Sequence, residues 1–337
     1  MPQTPIRLAI LGCGFAALQI HFPRLVKMRE TFSLVGVADI QSTAAERAAE
    51  LAGSCPAFTN LEQLLDETQP QALAVLTPLH ASPIEIALRR GLDVFAEKPL
   101  CETPADARRL AELAIELERV LVVGAMRVFD PAIALTQQIA AEISPLRWVE
   151  VRDYCGAGSV TAGGELVAGQ LQAGLPVQDG FQKNLLQSLL LEFIHDISIL
   201  RGVFGAPVYV KAAHPSSDGW ATTGELQLPG GIPCLFAFSE FGVTSAPVFD
   251  VSLRLFGEKG CAEIRFGDPN QAGNCQSLVS RDFSSPVSVI SDLFTAEWVA
   301  FAQALRTRQV SSNSAEQGAA DVELAWNIFA KGILEEA

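Results

Sequence analysis

The sequence lacks paired cysteines, basic clusters and long apolar runs. Its seven cysteines are odd in number and form no C-x-x-C pair, which fits reduced thiols better than a disulfide framework. The formal net charge of -14 disfavours binding to nucleic acid or to anionic membranes. No apolar run approaches the roughly 20 residues of a membrane span, and the N-terminus lacks a basic, apolar leader pattern. We therefore expect a cytoplasmic protein with neither a nucleic-acid nor a membrane partner.

Two kinds of catalytic pattern are also missing. The four histidines, spread from His21 to His214, show no H-x-x-x-H spacing, so the sequence predicts no metal site. A G-x-S-x-G elbow is absent, which argues against an α/β hydrolase. The chain is nevertheless 337 residues long and 49% hydrophobic, which is enough to build two domains with buried cores.

The first 125 residues alternate short apolar runs with helical patterns. Thr103 and Pro104, for example, are typical of an N-cap followed by the first residue of a helix, and Asn60 with Gln63 resembles a capping box. The expected strands are 6–12, 32–39, 72–77, 93–99 and 120–124, and the expected helices include 16–28, 43–53 and 83–91. Regular alternation of this kind predicts a doubly wound parallel sheet over residues 1–125.

A phosphate-binding turn is expected after the first strand. Gly12, Gly14 and Ala17 form a G-x-G-x-x-A pattern, in which residues without side chains let backbone N–H groups approach a pyrophosphate. The second strand ends at Asp39, an acid placed to hydrogen-bond the ribose hydroxyls of adenosine. A 2'-phosphate there would meet a carboxylate, and no arginine follows within DIQST. The sequence therefore favours NAD over NADP; the alternative is a tight turn beside a helix-capping aspartate.

The second half of the chain predicts an α+β domain, residues 126–337. The expected strands are 146–154, 208–214, 234–241, 249–257 and 262–267, which follow one another without long helices and favour a mostly antiparallel sheet. Asp130 and Pro131 indicate a helix start, and helical spacing recurs at 184–200, 296–307 and 319–333. The stretch 155–174 is rich in Gly and Ala and is interpreted as a long loop or substrate lid.

The stretches LAILGCGFAA, LTPLH and FAEKPL give a specific resemblance. Together they resemble the glucose-fructose oxidoreductase, inositol dehydrogenase and rhizopine-catabolism (Gfo/Idh/MocA) family, densely over the first 125 residues and more thinly beyond. The resemblance implies a Rossmann domain over residues 1–125 and a C-terminal domain built on an open, mostly antiparallel sheet. It also implies a cofactor site that includes the E-K-P turn, and a homodimer or homotetramer joined through the C-terminal sheet. The expected cofactor-binding residues are Gly12, Gly14, Phe15, Ala16, Asp39, Thr77, Pro78, His80, Glu97 and Lys98. For His80 the alternative is a cap on the helix that follows.

Two residues are the expected proton-transfer groups. Lys98, at the carboxyl end of a sheet strand, would lie near the nicotinamide and the substrate hydroxyl, and the alternative is an exposed structural lysine. His195 would occupy the position of the family's proton-transfer histidine, although a histidine there, taken alone, is more typical of a core residue than of a catalyst. The family commonly has an acid four residues before this histidine and another three after it, whereas this chain has Leu191 and Ser198.

Nearby acids leave two interpretations of His195. Glu192 could reach round the helix to orient the imidazole, since residues i and i+3 are neighbours on an α-helix, or the relay could be altered or lost. For both Glu192 and Asp196 the alternative is a solvated helix face or a pair with Arg201, and for Asp196 this alternative is the one we expect. Arg127 is expected to help bind substrate or else to cap the inter-domain hinge, and His21 receives no role.

The expected function is that of an NAD-dependent oxidoreductase. It would transfer a hydride between nicotinamide and a secondary hydroxyl, or the corresponding ketone, of a sugar, polyol or sugar derivative. Two alternatives stay open: an enzyme that keeps NAD tightly bound and recycles its hydride, and a catalytically silent dinucleotide sensor or scaffold. The second is suggested by Leu191 and Ser198 at positions where the family has acids.

Overall fold

The computed structural model describes residues 4–78, 80–156, 177, 180–205, 208–241, 249–268, 275–310 and 312–334. The chain divides into two compact units. The first unit consists of residues 1–125 and 294–320, and the second consists of residues 126–293 and 321–337. Residues 294–320 thus join the first unit, whereas the sequence prediction placed everything after residue 125 in one second domain.

The first unit contains a six-stranded parallel sheet. Its strands are β1 (Ile6–Leu11), β2 (Phe32–Ala38), β3 (Ala57–Phe58), β4 (Ala72–Val75), β5 (Asp93–Glu97) and β6 (Leu121–Gly124). Their order is β3-β2-β1-β4-β5-β6, with every neighbouring pair parallel. This order is that of a dinucleotide-binding Rossmann sheet, in which the crossover between β1 and β4 opens a crevice at the carboxyl ends of the strands. The predicted doubly wound sheet is confirmed.

Helices connect these strands at the predicted places. They are α1 (Phe22–Leu25), α2 (Ser42–Leu51), α3 (Leu61–Thr68), α4 (Ala81–Arg89) and α5 (Pro104–Glu116). Two N-caps form as the sequence predicts: Thr103 Oγ1 accepts the backbone N–H of Asp106 at 3.2 Å, and Asn60 Oδ1 accepts that of Gln63 at 3.0 Å. A π-helical segment, Ala16–His21, directly precedes α1. Such segments are rare and recur at functional sites.

Helix α9 (Leu293–Thr307) explains why the chain returns to the first unit. Its Trp298 is fully buried and stacks on Phe95 of β5, with ring centroids 4.2 Å apart. Phe301, one helical turn later, is also fully buried and lies parallel to Phe32 of β2. Burying one such side chain stabilises a fold by about 1.5–3 kcal/mol, so these two aromatic residues place the helix in the core of the first unit.

The second unit contains an eight-stranded sheet. Its strands are β7 (Leu146–Gly156), β8 (Tyr209–Pro215), β9 (Ala221–Leu228), β10 (Ile232–Phe241), β11 (Phe249–Gly257), β12 (Gly260–Phe266), β13 (Cys275–Arg281) and β14 (Val287–Ser291). The order is β14-β13-β12-β11-β7-β10-β9-β8, and all pairs are antiparallel except β10 with β7. The predicted open, mostly antiparallel sheet is confirmed, although the sequence did not predict β9, β13 and β14.

The helices of the second unit include the one that carries His195. They are α6 (Pro131–Glu142), α7 (Gly180–Ser188), α8 (Ile194–Phe204) and the part of α10 (Ala315–Leu334) that follows Ala320. A second π-helical segment, Leu189–Phe193, joins α7 to α8. Phe193 packs on Phe236 and Phe238 of β10, at centroid distances of 5.2 and 5.4 Å, so the start of α8 is anchored on the sheet.

The described residues bear differently on two further sequence predictions, the loop and the absence of a membrane span. The predicted loop or lid at 155–174 lies outside them, except that Cys155 and Gly156 end β7. No helix within the described ranges is both long enough and apolar enough to span a lipid bilayer.

Candidate active site

The glycine turn after β1 forms an open cradle. Gly12 has a φ of +94°, and an added Cβ would meet the backbone of Leu76 at 2.8 Å, so this position needs glycine. Gly14 is exposed, and an added Cβ there would meet nothing within 4 Å. Ala17 is fully buried where the following helix packs on the strand. The turn therefore presents free backbone at Gly14, which suits the close approach of a pyrophosphate.

Asp39 follows β2 and is tied to the same turn. Its Oδ2 accepts the backbone N–H of Cys13 at 2.8 Å, and its Oδ1 accepts that of Gln41 at 2.9 Å. An ionised carboxylate has about four acceptor positions, so acceptor capacity is left for hydroxyl groups of a ligand. The thiol of Cys13 is buried, and burial beside Asp39 raises its pKa to about 12, which keeps it protonated.

The E-K-P turn lies at the carboxyl end of β5. Glu97 Oε1 is 2.7 Å from Nε2 of His21, and Glu97 Oε2 accepts the backbone N–H of Lys98 at 3.0 Å. Burial raises the pKa of Glu97, but the hydrogen bond from His21 and the charge of Lys98 outweigh burial, and the pKa lies below its usual value. Glu97 is therefore ionised and holds the main chain at Lys98, whose side chain is half-buried.

His80 stabilises the next part of the same turn. Its Nδ1–H donates to the carbonyl oxygen of Pro99 at 2.8 Å, and its side chain makes no capping hydrogen bond to α4. The structure thus favours contact with the E-K-P turn over the helix-cap alternative. Burial lowers the pKa of His80, although the hydrogen bond to Pro99 opposes this, so the imidazole is neutral. Thr77 and Pro78, just upstream, are half-buried.

His21 was assigned no role from the sequence and is fully buried beside Glu97. One potential ligand atom from each of His21, Glu97 and Glu297 lies within 4.8 Å of the others, a spacing that could hold a metal ion. However, Nδ1 of His21 accepts the indole N–H of Trp298 at 3.1 Å, and Nε2 is bonded to Glu97. Since both ring nitrogens have protein partners, we interpret the group as a hydrogen-bonded chain. The absence of a metal site stays a prediction.

In the second unit, His195 is half-buried in the first turn of α8. Ser198, at a position where the family commonly has an acid, donates its hydroxyl to the backbone carbonyl of His195 at 2.7 Å. Glu192 belongs to the π-helical segment, so the α-helical i, i+3 spacing behind its predicted role does not describe this stretch. The roles of His195 and Glu192 stay predictions.

Asp196 contradicts its sequence interpretation. It is 1% exposed rather than solvated, and Arg201 pairs instead with Asp321, with two N–O distances of 2.7 Å. Asp196 is hydrogen-bonded to Asp153 of β7, which is also buried and accepts the thiol hydrogen of Cys155 at 2.8 Å. Two carboxyl groups can share a hydrogen bond only if one is protonated. Burial and the charge of Asp153 raise the pKa of Asp196 well above its usual value, although Arg127 opposes the shift.

Replacing Asp196 by asparagine should stabilise the protein increasingly as pH rises. In the wild type the folded state keeps a proton that the unfolded Asp releases above about pH 3.9, so stability falls as pH rises towards the raised pKa. The amide of the new asparagine would donate to Asp153 without a titrating proton. Within that window the advantage of Asp196→Asn should grow by about 1.4 kcal/mol per pH unit. Urea unfolding from pH 4 to 8 measures it, with Glu116→Gln, at an exposed position, as control; a difference independent of pH would contradict the assignment.

Arg127 lies in the interior of the second unit. It is 3% exposed, and its guanidinium carbon lies 5.0 Å from the ring centre of Phe249 and 5.6 Å from that of Phe266. Its charge also acts on Asp196. Nearby, Asp130 caps α6 as predicted, since its Oδ1 accepts the backbone N–H of Ala132 at 2.8 Å. Arg127 thus contributes a buried positive charge beside the acid pair, and its substrate role stays a prediction.

The sheet order and the glycine turn define the first unit as a dinucleotide-binding Rossmann domain. Residues 6–125 match the family model described as oxidoreductase family, NAD-binding Rossmann fold (GFO_IDH_MocA). The match is confined to residues 6–125, and over that part of the chain it confirms the resemblance to the Gfo/Idh/MocA oxidoreductase family seen in the sequence.

Individual relatives agree with this assignment. The chain is 30% identical to the D-glucoside 3-dehydrogenase of Escherichia coli K12 over 147 residues, which cover 43% of this chain and 40% of that protein. The chain thus matches less than half the length of this curated relative.

Solved structures resemble this chain over nearly its whole length. An inositol dehydrogenase homolog from Azotobacter vinelandii, complexed with NADH and myo-inositol, has a TM-score of 0.77 at 16% identity, covering 98% of this chain and 96% of that one. A variant of a 3-ketoreductase from Actinomadura kijaniata, in complex with TDP-benzene and NADP, has a TM-score of 0.75 at 20% identity, covering 97% and 98%. At these identities the likeness establishes the two-unit fold alone.

Sequence reasoning missed the residues whose partners are distant in the chain. His21 bonds to Glu97, 76 positions away, and to Trp298, 277 positions away. The sequence did not indicate a role for Asp153, because Asp153 lies on β7 and its hydrogen-bond partner Asp196 lies on helix α8. His21 lies in the π-helical segment Ala16–His21, so α-helical spacing gave no signal for its burial either.

Proposed function

We propose that the chain is an NAD-dependent oxidoreductase acting on a secondary hydroxyl, or the corresponding ketone, of a sugar, polyol or sugar derivative. The observation that carries the proposal is the E-K-P turn at the carboxyl end of β5. Glu97 holds the backbone of Lys98 there, in the same unit as the glycine cradle. In sheets of this kind ligands bind at the carboxyl ends of the strands.

The cradle residues fit a dinucleotide. Gly12 and Gly14 would let backbone N–H groups meet the pyrophosphate, with Phe15 and Ala16 at the start of the helical segment beyond. Asp39 would accept hydrogen bonds from the ribose hydroxyls, and its carboxylate would repel a 2'-phosphate, which supports NAD over NADP. Thr77, Pro78 and His80 follow β4, the strand across the crossover. Bound NAD would supply a nicotinamide ring able to accept or donate a hydride.

Lys98 and His195 would carry the proton chemistry. An alcohol oxygen that becomes a carbonyl oxygen must lose its proton, and a positively charged donor steadies the developing negative charge. Lys98 Nζ would hold that oxygen, and His195 would take up or return the proton. Arg127 would contribute to substrate binding, and Glu192 would orient the imidazole.

Calorimetric titration with NAD⁺ and separately with NADP⁺ tests the proposal, using protein freed of bound small molecules. We expect clear preference for NAD⁺. Gly14→Ala should weaken NAD⁺ binding at least tenfold because its methyl group would lie against the pyrophosphate, whereas the free protein has room for it and should fold normally. Preference for NADP⁺ would overturn the role of Asp39. Binding of neither dinucleotide to folded protein would overturn the proposed function.

A further inference from the structure

A chain of three hydrogen bonds leads from helix α9 to the main chain of Lys98. The indole Nε1–H of Trp298 lies 3.1 Å from Nδ1 of His21, and Nε2 of His21 lies 2.7 Å from Oε1 of Glu97. The other oxygen of Glu97 accepts the backbone N–H of Lys98 at 3.0 Å. All four residues belong to the first unit.

The chemistry of the four groups determines which of them donates and which accepts in each of the three hydrogen bonds. An indole N–H can only donate, so Nδ1 of His21 must accept. The proton of a neutral imidazole is then on Nε2, from which it is donated to Glu97. The ionised carboxylate of Glu97 in turn accepts from both sides, from His21 and from the Lys98 amide. Each group therefore has one possible role, and the orientation of Glu97 is determined by the tautomer of His21.

Packing holds the hydrogen-bonded side chains in place. His21 and Trp298 are both fully buried, and the imidazole edge contacts the rings of Phe95, Phe294 and Trp298 at centroid distances of 5.8, 6.2 and 5.6 Å. Phe95 lies two residues before Glu97 on β5 and stacks on Trp298. Trp298 is thus fixed to β5 twice, through the ring stack and through His21. In so dry a setting hydrogen bonds are stronger and misdirected donors are costly.

We propose that His21 and Trp298 are positioning residues, which set the E-K-P turn so that Lys98 is presented for proton transfer. The inference rests on the proposed function for the role of Lys98, whereas the ordering of the turn does not depend on it. Ionisable groups that face these hydrogen bonds include Glu297, whose Oε1 is 3.8 Å from Nδ1 of His21, and the side chains of His80 and Lys98, which interact electrostatically with Glu97. None of them replaces the Trp298 N–H as donor to Nδ1.

The variant Trp298→Phe tests the proposal because it deletes the N–H and keeps an aromatic ring on Phe95. Losing one hydrogen bond costs about 0.5–1.5 kcal/mol, so we expect exchange of the Lys98 amide hydrogen to accelerate roughly two- to tenfold. We also expect kcat to fall by a similar factor, while the Kd for NAD⁺ changes less than about twofold. Nitrogen-15 NMR of the imidazoles should show His21 as the Nε2–H tautomer in the wild type and as a mixture in the variant.

Two further comparisons separate positioning from general damage. Trp148→Phe removes an indole hydrogen bond elsewhere, the 3.1 Å contact with a carboxylate oxygen of Glu150 in the second unit, and should change neither readout. His21→Gln can still accept from Trp298 and donate to Glu97, so it should retain more activity than His21→Phe. Thermal unfolding checks that each variant is folded.

The outcomes distinguish this inference from the proposed function. Unchanged exchange of the Lys98 amide in Trp298→Phe would overturn the positioning role whatever the activity. Faster exchange with unchanged kcat would overturn its catalytic consequence. If the wild type binds NAD⁺ but turns over no sugar or polyol, the proposed function fails and so does the catalytic consequence, while the exchange rate and the tautomer still decide whether His21 and Trp298 order the turn.

Discussion

Replacing Lys98 by methionine should lower kcat by about 10³-fold, in line with the loss of a general acid–base group. Methionine is similar in length and fits a half-buried position, but it offers neither a proton nor a positive charge to the substrate oxygen. The hydrogen bond from the backbone of residue 98 to Glu97 does not involve the side chain and should persist. The Kd for NAD⁺ should therefore change little.

Steady-state kinetics on the sugar or polyol with the highest turnover, together with calorimetry for NAD⁺, measures both quantities. Lys211→Met, on the exposed side of β8, is the matched control and should behave as the wild type. A Lys98→Met variant with normal kcat would show that Lys98 is a structural residue. It would also remove the central element of the proposed reaction.

Replacing His195 by asparagine should lower kcat by about 10²- to 10³-fold and abolish one limb of the pH–rate profile. Asparagine keeps a polar group at the half-buried start of α8 but cannot take up and return a proton near neutral pH. Affinity for NAD⁺ should be unchanged. His214→Asn, at an exposed position on β8, is the control.

This variant decides between an enzyme and a silent sensor. If His195→Asn leaves every measurable activity and its pH dependence unchanged, the departures at Leu191 and Ser198 mark a lost relay. The hydroxyl of Ser198 donates a hydrogen bond to the helix backbone, so this side chain does not do the work of an acid at that position. A large loss of turnover with intact NAD⁺ affinity would eliminate the silent alternative.

Local signals predicted the parts of the fold that local interactions determine. The N-caps at Asn60, Thr103 and Asp130 depend on residues two or three positions away, and all three form. The glycine turn is similarly local, because the backbone conformation at Gly12 excludes other residues. Strand and helix alternation then limits the topology to a doubly wound sheet.

Distant partners account for what the sequence could not predict. The helical pattern of α9 is visible, but nothing in it shows that Trp298 stacks on Phe95 rather than on the second sheet. From the sequence alone Asp196 is expected to be a solvated polar residue on a helix. Its burial can be predicted only once its hydrogen-bond partner Asp153, on a different element, is known. The π-helical segments at Ala16–His21 and Leu189–Phe193 also shift side-chain directions that α-helical spacing would assign.

The return of residues 294–320 to the first unit has a consequence for synthesis on the ribosome. The core around β5 is incomplete until Trp298 and Phe301 have been translated, long after β6 has left the exit tunnel. At about 5–20 residues per second, this leaves the apolar surface of Phe95 and Phe32 uncovered for roughly 10 to 35 s. During that interval the nascent first unit exposes apolar surface that the finished fold buries, and a fragment ending at residue 125 would keep the same surface exposed.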